Sequence, residues 1–335
     1  MMAFRAALIG CGMMGSAYAD DPRIKGVSTH AGAYTACPDT TLVAVCDSDA
    51  ERVERCGERW QVPARYQDYR VMLEEAAPGM VSICTPDSTH AEILGRVLAT
   101  PGVKAVLAEK PLALDPAEGA RLVNRAREAG VILAVNYSRR YAPNHQRMRE
   151  LIAGGAIGTV RSIQGSYTRG CLHNGTHWFD LARFLVGEVV SVRGFDTLRE
   201  GGPDPTLDAL LTFGNGASGF LRACDHRSFS IFEADILGSA GRIRILESGH
   251  RIEISTVGDS PHYTGYRSLV VRETGTDGFG DLPLFAVRDL VRCLREGGEP
   301  LCTGEDALAA LRIGHAIRRS SREGRQVRVP GGGHG

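Results

Sequence analysis

The chain has 335 residues, of which 43% are hydrophobic and 23% charged, with 39 basic and 39 acidic side chains and a formal net charge of zero. Balanced charge gives no bulk field for nucleic acid or an anionic membrane, and the strand-sized apolar runs fall far below the ~20 residues that span a bilayer. Neither is expected as a partner, and the length predicts two domains.

Residues 3–9 read as a buried strand running into Gly10-Cys11-Gly12-Met13-Met14-Gly15 and the helix-compatible Ser16-Ala17-Tyr18-Ala19. Strand, G-x-G-x-x-G, helix is a dinucleotide-binding context. The first glycine permits the turn, the second admits a pyrophosphate to the backbone, and the third lets helix and strand pack closely. Met13 and Met14 share that loop. Residues 20–37 exceed what a βα connection needs and predict an inserted loop, then a short helix over 30–36 capped by Thr29. Residues 41–47 form a strand ending in Asp47, an acid that can accept hydrogen bonds from the adenosine ribose. It argues for NAD over NADP, with Ser48 and Arg52 near enough to admit NADP.

Alternation continues with helices at 49–59, 68–76, 88–98 (capped by Ser88) and 116–129, and strands at 64–66, 81–86, 105–108 and 131–137. These lengths predict a doubly wound parallel sheet, a Rossmann domain over residues 1–140. After Arg140 the pattern changes. Helices at 143–153 and 176–186 bracket a strand at 162–168, and period-2 segments follow at 189–197, 207–213, 218–224, 232–237, 242–246 and 251–257. Joined by glycine-rich turns, they predict a mainly antiparallel sheet with one helix-covered face. Helices at 284–295 and 305–319 complete an α+β domain over residues 141–335, and residues 330–335 are expected to be disordered.

Only three of the 39 basic residues are lysines: Lys25, Lys104 and Lys110. A desolvated lysine can lose its proton near neutrality and an arginine cannot. Lys110, at the end of the apolar stretch Ala105–Ala108, is therefore a candidate for proton chemistry. Nine cysteines scattered without a C-x-x-C pair, and an N-terminus that enters a strand pattern directly, predict a reduced, cytoplasmic enzyme.

Four stretches together resemble the Gfo/Idh/MocA family of oxidoreductases: the glycine loop; Cys84-Thr85-Pro86-Asp87-Ser88-Thr89-His90; Glu109-Lys110-Pro111; and Asn174-Gly175-Thr176-His177-Trp178-Phe179-Asp180. The resemblance implies a second domain with an open-faced sheet that covers the cofactor and assembles homodimers or homotetramers. It implies that Thr85, Pro86 and His90 flank the dinucleotide, that Glu109 lies near the nicotinamide ribose, and that the peptide before Pro111 is cis. Lys110 resembles the active-site lysine and His177 the catalytic histidine.

Oxidising a secondary alcohol removes a hydride from carbon and a proton from oxygen, so a base and a polarising donor are both required. Imidazole titrates near neutrality unaided, which favours His177 as acid/base and Lys110 as donor, the reverse remaining open. The expected reaction is NAD(P)-dependent hydride transfer at a secondary hydroxyl or keto carbon of a sugar, including a nucleotide sugar or sugar acid. The alternatives are a non-catalytic dinucleotide or sugar sensor, and an NAD-dependent hydrolase or lyase using transient oxidation. Candidate substrate contacts are Asn136, Arg139, Arg140, Tyr167, Arg169, His173 and Asn174. The family pattern has an aspartate four residues before the histidine, where this chain has His173. His173, His177 and Asp180 share helical spacing, but Gly175 weakens a helix there and nothing completes a shell, so no metal is expected.

Overall fold

The computed structural model describes residues 3–276 and 279–331; the end of the tail expected to be disordered, from residue 332 on, lies outside them. The chain divides into two compact units, residues 3–141 with 280–308, and residues 142–279 with 309–331.

The first unit is a six-stranded parallel sheet in the order β3-β2-β1-β4-β5-β6, with β1 at Phe4–Ile9, β2 at Thr40–Cys46, β3 at Ala64–Tyr66, β4 at Met80–Ile83, β5 at Ala105–Ala108 and β6 at Ile132–Val135. The strands are short apolar runs because helices cover both faces: Ala6, Ala7, Leu8, Val81, Val106 and Leu107 are fully buried. The helices are α1 (His30–Ala36), α2 (Ala50–Arg59), α3 (Tyr69–Ala76), α4 (His90–Val97) and α5 (Pro116–Glu128). Asp49, Asp68 and Asp115 cap α2, α3 and α5 through their side chains. Ser88 does not cap α4; it sits in a 3₁₀ turn over Asp87–Thr89 that precedes the helix.

The segment after Gly15 departs from the expected helix. Residues 17–20 make one 3₁₀ turn, and α1 starts only at His30. Yet the N–H groups of His30 and Ala31 donate to the carbonyls of Met14 and Gly15, each at 3.0 Å. The helix thus takes up the hydrogen bonding of the glycine loop as though residues 16–29 were looped out of it. Thr29 caps it, accepting from Gly32 N–H at 3.2 Å.

Residues 280–308, assigned from sequence to the second domain, belong to the first unit. Helix α8 (Leu282–Glu296) packs against α1, β5 and β6, burying Val287 and Leu290. Arg295 pairs with Asp39 at 2.6 Å and Asp281 accepts from the Val27 N–H at 2.8 Å. An apolar helical stripe announces a buried face without saying which sheet buries it.

The second unit holds α6 (Pro143–Ala153), α7 (Gly175–Leu185) and a nine-stranded mixed sheet. Its strands are β7 (Val160–Tyr167), β8 (Val189–Phe195), β9 (Asp208–Phe213), β10 (Ser218–Ala223), β11 (Phe232–Gly238), β12 (Gly241–Leu246), β13 (Arg251–Asp259), β14 (Arg267–Thr276) and β15 (Val327–Arg328), in the order β14-β13-β12-β11-β7-β10-β9-β8-β15. Only the β7–β10 pairing is parallel among these neighbours. Helix α7 packs on β7, and Gly194 of β8 gives the close approach needed by Ile317 of α9 (Gly304–Glu323), where a Cβ would stand 2.3 Å from the Ile317 carbonyl. Strand β14 escapes the sequence reading because its apolar residues Leu269, Val270 and Val271 are consecutive and do not alternate with polar ones.

Candidate active site

Adjacent parallel strands of the first unit end on the residues expected to carry chemistry: β1 on the glycine loop, β2 on Asp47, β4 on Thr85, β5 on Glu109 and Lys110. Open α/β sheets bind ligands outside these carboxyl ends. The glycines divide the labour. A Cβ on Gly10, at φ +96°, would lie 2.5 Å from the Cys84 carbonyl, and one on Gly15 would lie 2.0 Å from the Gly10 oxygen, so both serve packing. A Cβ on Gly12 would meet nothing within 4 Å. That open backbone is what a dinucleotide phosphate requires, and the residues present fit NAD. A cavity of about 610 Å³ adjoins it, lined by Cys11, Gly12, Met13, Ser16 and Arg52 among others. Met13 is exposed at the rim and Met14 half-buried behind it. Asp47 accepts from the Cys11 N–H at 2.8 Å and the Asp49 N–H at 3.0 Å, which fixes its carboxylate against the glycine loop.

Glu109 is the centre of a buried polar chain. Its Oε1 lies 3.0 Å from His30 Nε2 and accepts from Asn136 Nδ2 at 2.7 Å, and its Oε2 accepts from the Lys110 N–H at 3.3 Å. His30 Nδ1 meets Ser82 Oγ at 2.9 Å, and that hydroxyl meets the Tyr34 OH at 2.9 Å. All of these side chains are buried except that of Lys110, which is half-exposed. Desolvation pushes the Glu109 carboxyl up, but the hydrogen bond and charge of His30, with Asn136 and Lys110, outweigh it and hold the group below the usual glutamate range. The Lys110–Pro111 peptide is cis. His90 is a clamp between two loops: Nδ1 faces the Pro111 carbonyl and Nε2 the Thr85 carbonyl, each at 2.7 Å. Thr85 Oγ1 accepts from Thr89, and Pro86 is exposed.

In the second unit a π-helical turn at Gly170–Asn174 leads directly into α7. His173 is exposed, and His177, four residues on, is half-buried on the same side of the helical run. Asp180 is buried beside Arg183. Asn174 donates to the Thr168 carbonyl at 2.8 Å, and Arg169 takes a left-handed backbone at φ 69°, ψ 57°.

Several residues expected to meet substrate are engaged or buried within the fold. Tyr167 is fully buried; its hydroxyl donates to the Leu207 carbonyl and accepts from the Leu207 N–H, both at 2.9 Å. Asn136 is buried on Glu109. Arg140 is buried and pairs with Asp306 at 3.0 Å, while burial pushes the neighbouring Arg139 guanidinium down from its usual range. Strand ends carry side chains of both kinds, and sequence does not separate them. His30 and Ser82 went unread. Their signal was a serine inside the apolar strand Met80–Ile83 and a histidine directly after a helix cap. Glu200, Asp204 and His226, which share a cavity with His173, had none, being brought together only by folding.

The chain matches the oxidoreductase family's NAD-binding Rossmann fold over residues 4–137 and its C-terminal α/β domain over residues 149–329. Myo-inositol 2-dehydrogenase of Thermotoga maritima is 25% identical over 97% of this chain and 98% of its own. D-apiose dehydrogenase of Paraburkholderia graminis is 27% identical, over 97% and 90% respectively. A solved levoglucosan dehydrogenase, in complex with NADH and L-sorbose, shares the fold at a TM-score of 0.84 and 22% identity, over 98% of this chain and 100% of that one. With both domains matched in order, the chain belongs to the Gfo/Idh/MocA family of NAD-binding oxidoreductases.

Proposed function

We propose that the protein oxidises a secondary hydroxyl of a sugar, or reduces the corresponding keto carbon. The observation that carries this reading is Lys110, one of only three lysines, half-exposed at the strand end where buried Glu109 accepts its backbone N–H. The hydride acceptor is the chemistry NAD supplies when bound. Lys110 donates a hydrogen bond to the reacting oxygen, and His177 takes the hydroxyl proton. Sugar or polyol dehydrogenase activity in the relatives named above supports the substrate class. The cofactor is NAD, with Asp47 at the ribose.

The test is NADH formation, read by absorbance with NAD⁺ and a panel of sugars. Lys110→Ala and His177→Ala are each expected to lower turnover by about 10²–10⁴-fold while NAD⁺ affinity stays within a few-fold. Near-normal rates in the double variant would sink the assignment.

The protein is further proposed to work in a reducing compartment, the cytoplasm, since its nine cysteines are all free. A homodimer or homotetramer formed through the second unit's sheet fits the exposed Leu210 and Phe220 on adjacent strands. Light scattering on wild type and Phe220→Glu tests the latter: an unchanged mass would remove this face. Among the described residues, no helix is long and apolar enough to cross a membrane.

A further inference from the structure

His173, one helical turn before His177, opens onto a cavity of about 490 Å³ within the second unit, lined also by Arg169, Glu200, Asp204, His226 and Arg227. That volume lies in the ~300–1,000 Å³ range of small-molecule sites. Most of its charges are already committed. Asp204 accepts from the Leu172 N–H at 2.8 Å and the His173 N–H at 2.9 Å. Arg227 grips the neighbouring Asp225 through two nitrogens, at 2.9 and 2.7 Å, and holds its carboxyl down to about 2. Glu200 differs. Its Oε2 accepts from the Thr206 N–H at 3.1 Å, but its buried Oε1 has no hydrogen-bond partner among the described residues. His226 Nδ1 stands 3.8 Å from it, beyond hydrogen-bond reach. A buried acceptor left unfilled is costly, and a ligand hydroxyl would fill it.

We propose that this cavity is the hydroxyl-binding subsite for a neutral polyol, in which Glu200 accepts hydrogen bonds from ring hydroxyls between His173 and His226. The proposal rests on the sugar reading above and narrows its substrate class. With Arg227 taken by Asp225 and Asp204 by backbone, Arg169 and Glu200 leave one charge of each sign for the ligand. That balance favours an uncharged sugar over a sugar acid or a sugar phosphate. Glu200 thus supplies a carboxylate to the cavity that His173 also lines. Glu200, Asp225 and His226 bring ligand atoms within 4.8 Å of one another, but a divalent cation there would have to displace Arg227 from Asp225.

Calorimetric binding of myo-inositol, D-glucose and D-gluconate to the NAD⁺-loaded protein tests this on wild type, Glu200→Gln and Glu200→Ala, with NADH formation read in parallel. Wild type is expected to bind a neutral probe and to prefer it over gluconate. Glu200→Gln, which keeps the shape, should weaken that binding about tenfold or more, as loss of a charged hydrogen bond does, with NAD⁺ affinity and melting temperature unchanged. Neutral-probe binding within twofold of wild type in both variants overturns the subsite. So do binding of neither neutral probe, a preference for gluconate, or stabilisation by zinc chloride that Glu200→Gln abolishes while sugar binding persists. The binding readout needs no hydride transfer. Glu200-dependent sugar binding without NADH therefore sinks the redox reading alone, and NADH formation indifferent to Glu200 sinks the subsite alone.

Discussion

His30 Nε2 stands 3.0 Å from Glu109 Oε1, and this contact ties the helix that continues the glycine loop to the strand end that carries Lys110. Glycine loop and lysine are thereby held by one buried chain running Tyr34, Ser82, His30, Glu109, Asn136.

That chain sets an acid limit. A carboxyl held below its unfolded value of ~4.3 adds stability that is complete above that pH and is lost as pH falls through the folded value. Wild type is expected to lose thermal stability from about pH 5 to 3 more steeply than His30→Gln, in which the imidazole charge acting on Glu109 is gone. Melting curves by circular dichroism against pH measure it; parallel curves would remove His30 from the account.

Alanine should separate the glycines of the loop. Gly12→Ala has room and is expected to fold with a stability change within about 1 kcal/mol, yet to lose NAD⁺ affinity because the added methyl occupies the phosphate approach. Gly10→Ala and Gly15→Ala would press a methyl into backbone at 2.5 and 2.0 Å and are expected to cost several kcal/mol. Denaturant melts alongside NAD⁺ titrations distinguish the two classes.

Tyr167→Phe is a test of structural duty. It strips the partner from both the N–H and the carbonyl of buried Leu207 and should cost about 1–3 kcal/mol of stability, leaving KM for the sugar within twofold. A large KM change at unchanged stability would return Tyr167 to the substrate.

Arg140→Ala is expected to behave similarly. It leaves Asp306 in a largely buried place without its guanidinium, at a cost of about 3–5 kcal/mol. Urea unfolding checks the value, and Asp306→Asn should recover part of it in the double variant. Full stability in Arg140→Ala would mean that the pair contributes nothing.

The parallel sheet was readable from sequence because its strands are short apolar runs between capped helices, and each cap is a local contact of two or three residues. Asp49 and Asp115 speak for their helices without tertiary help. The glycine loop, Asp47 and Glu109-Lys110-Pro111 were equally legible, since strand ends in such a sheet project to one edge. Long-range choices were not. That α8 returns to the first sheet depends on which surface its stripe meets. That Tyr167 and Arg140 are latches, whereas Glu200 carries an unfilled oxygen, depends on atoms 40 and 166 residues away in the first two cases and on a cavity assembled from three separate segments in the third. Periodicity and capping are properties of neighbours along the chain, so sequence alone determined the elements and the strand-end motifs. Burial and hydrogen-bond satisfaction are properties of neighbours in space, and only the tertiary structure decided which polar side chains were spent on the fold and which, like Glu200, were left for a ligand.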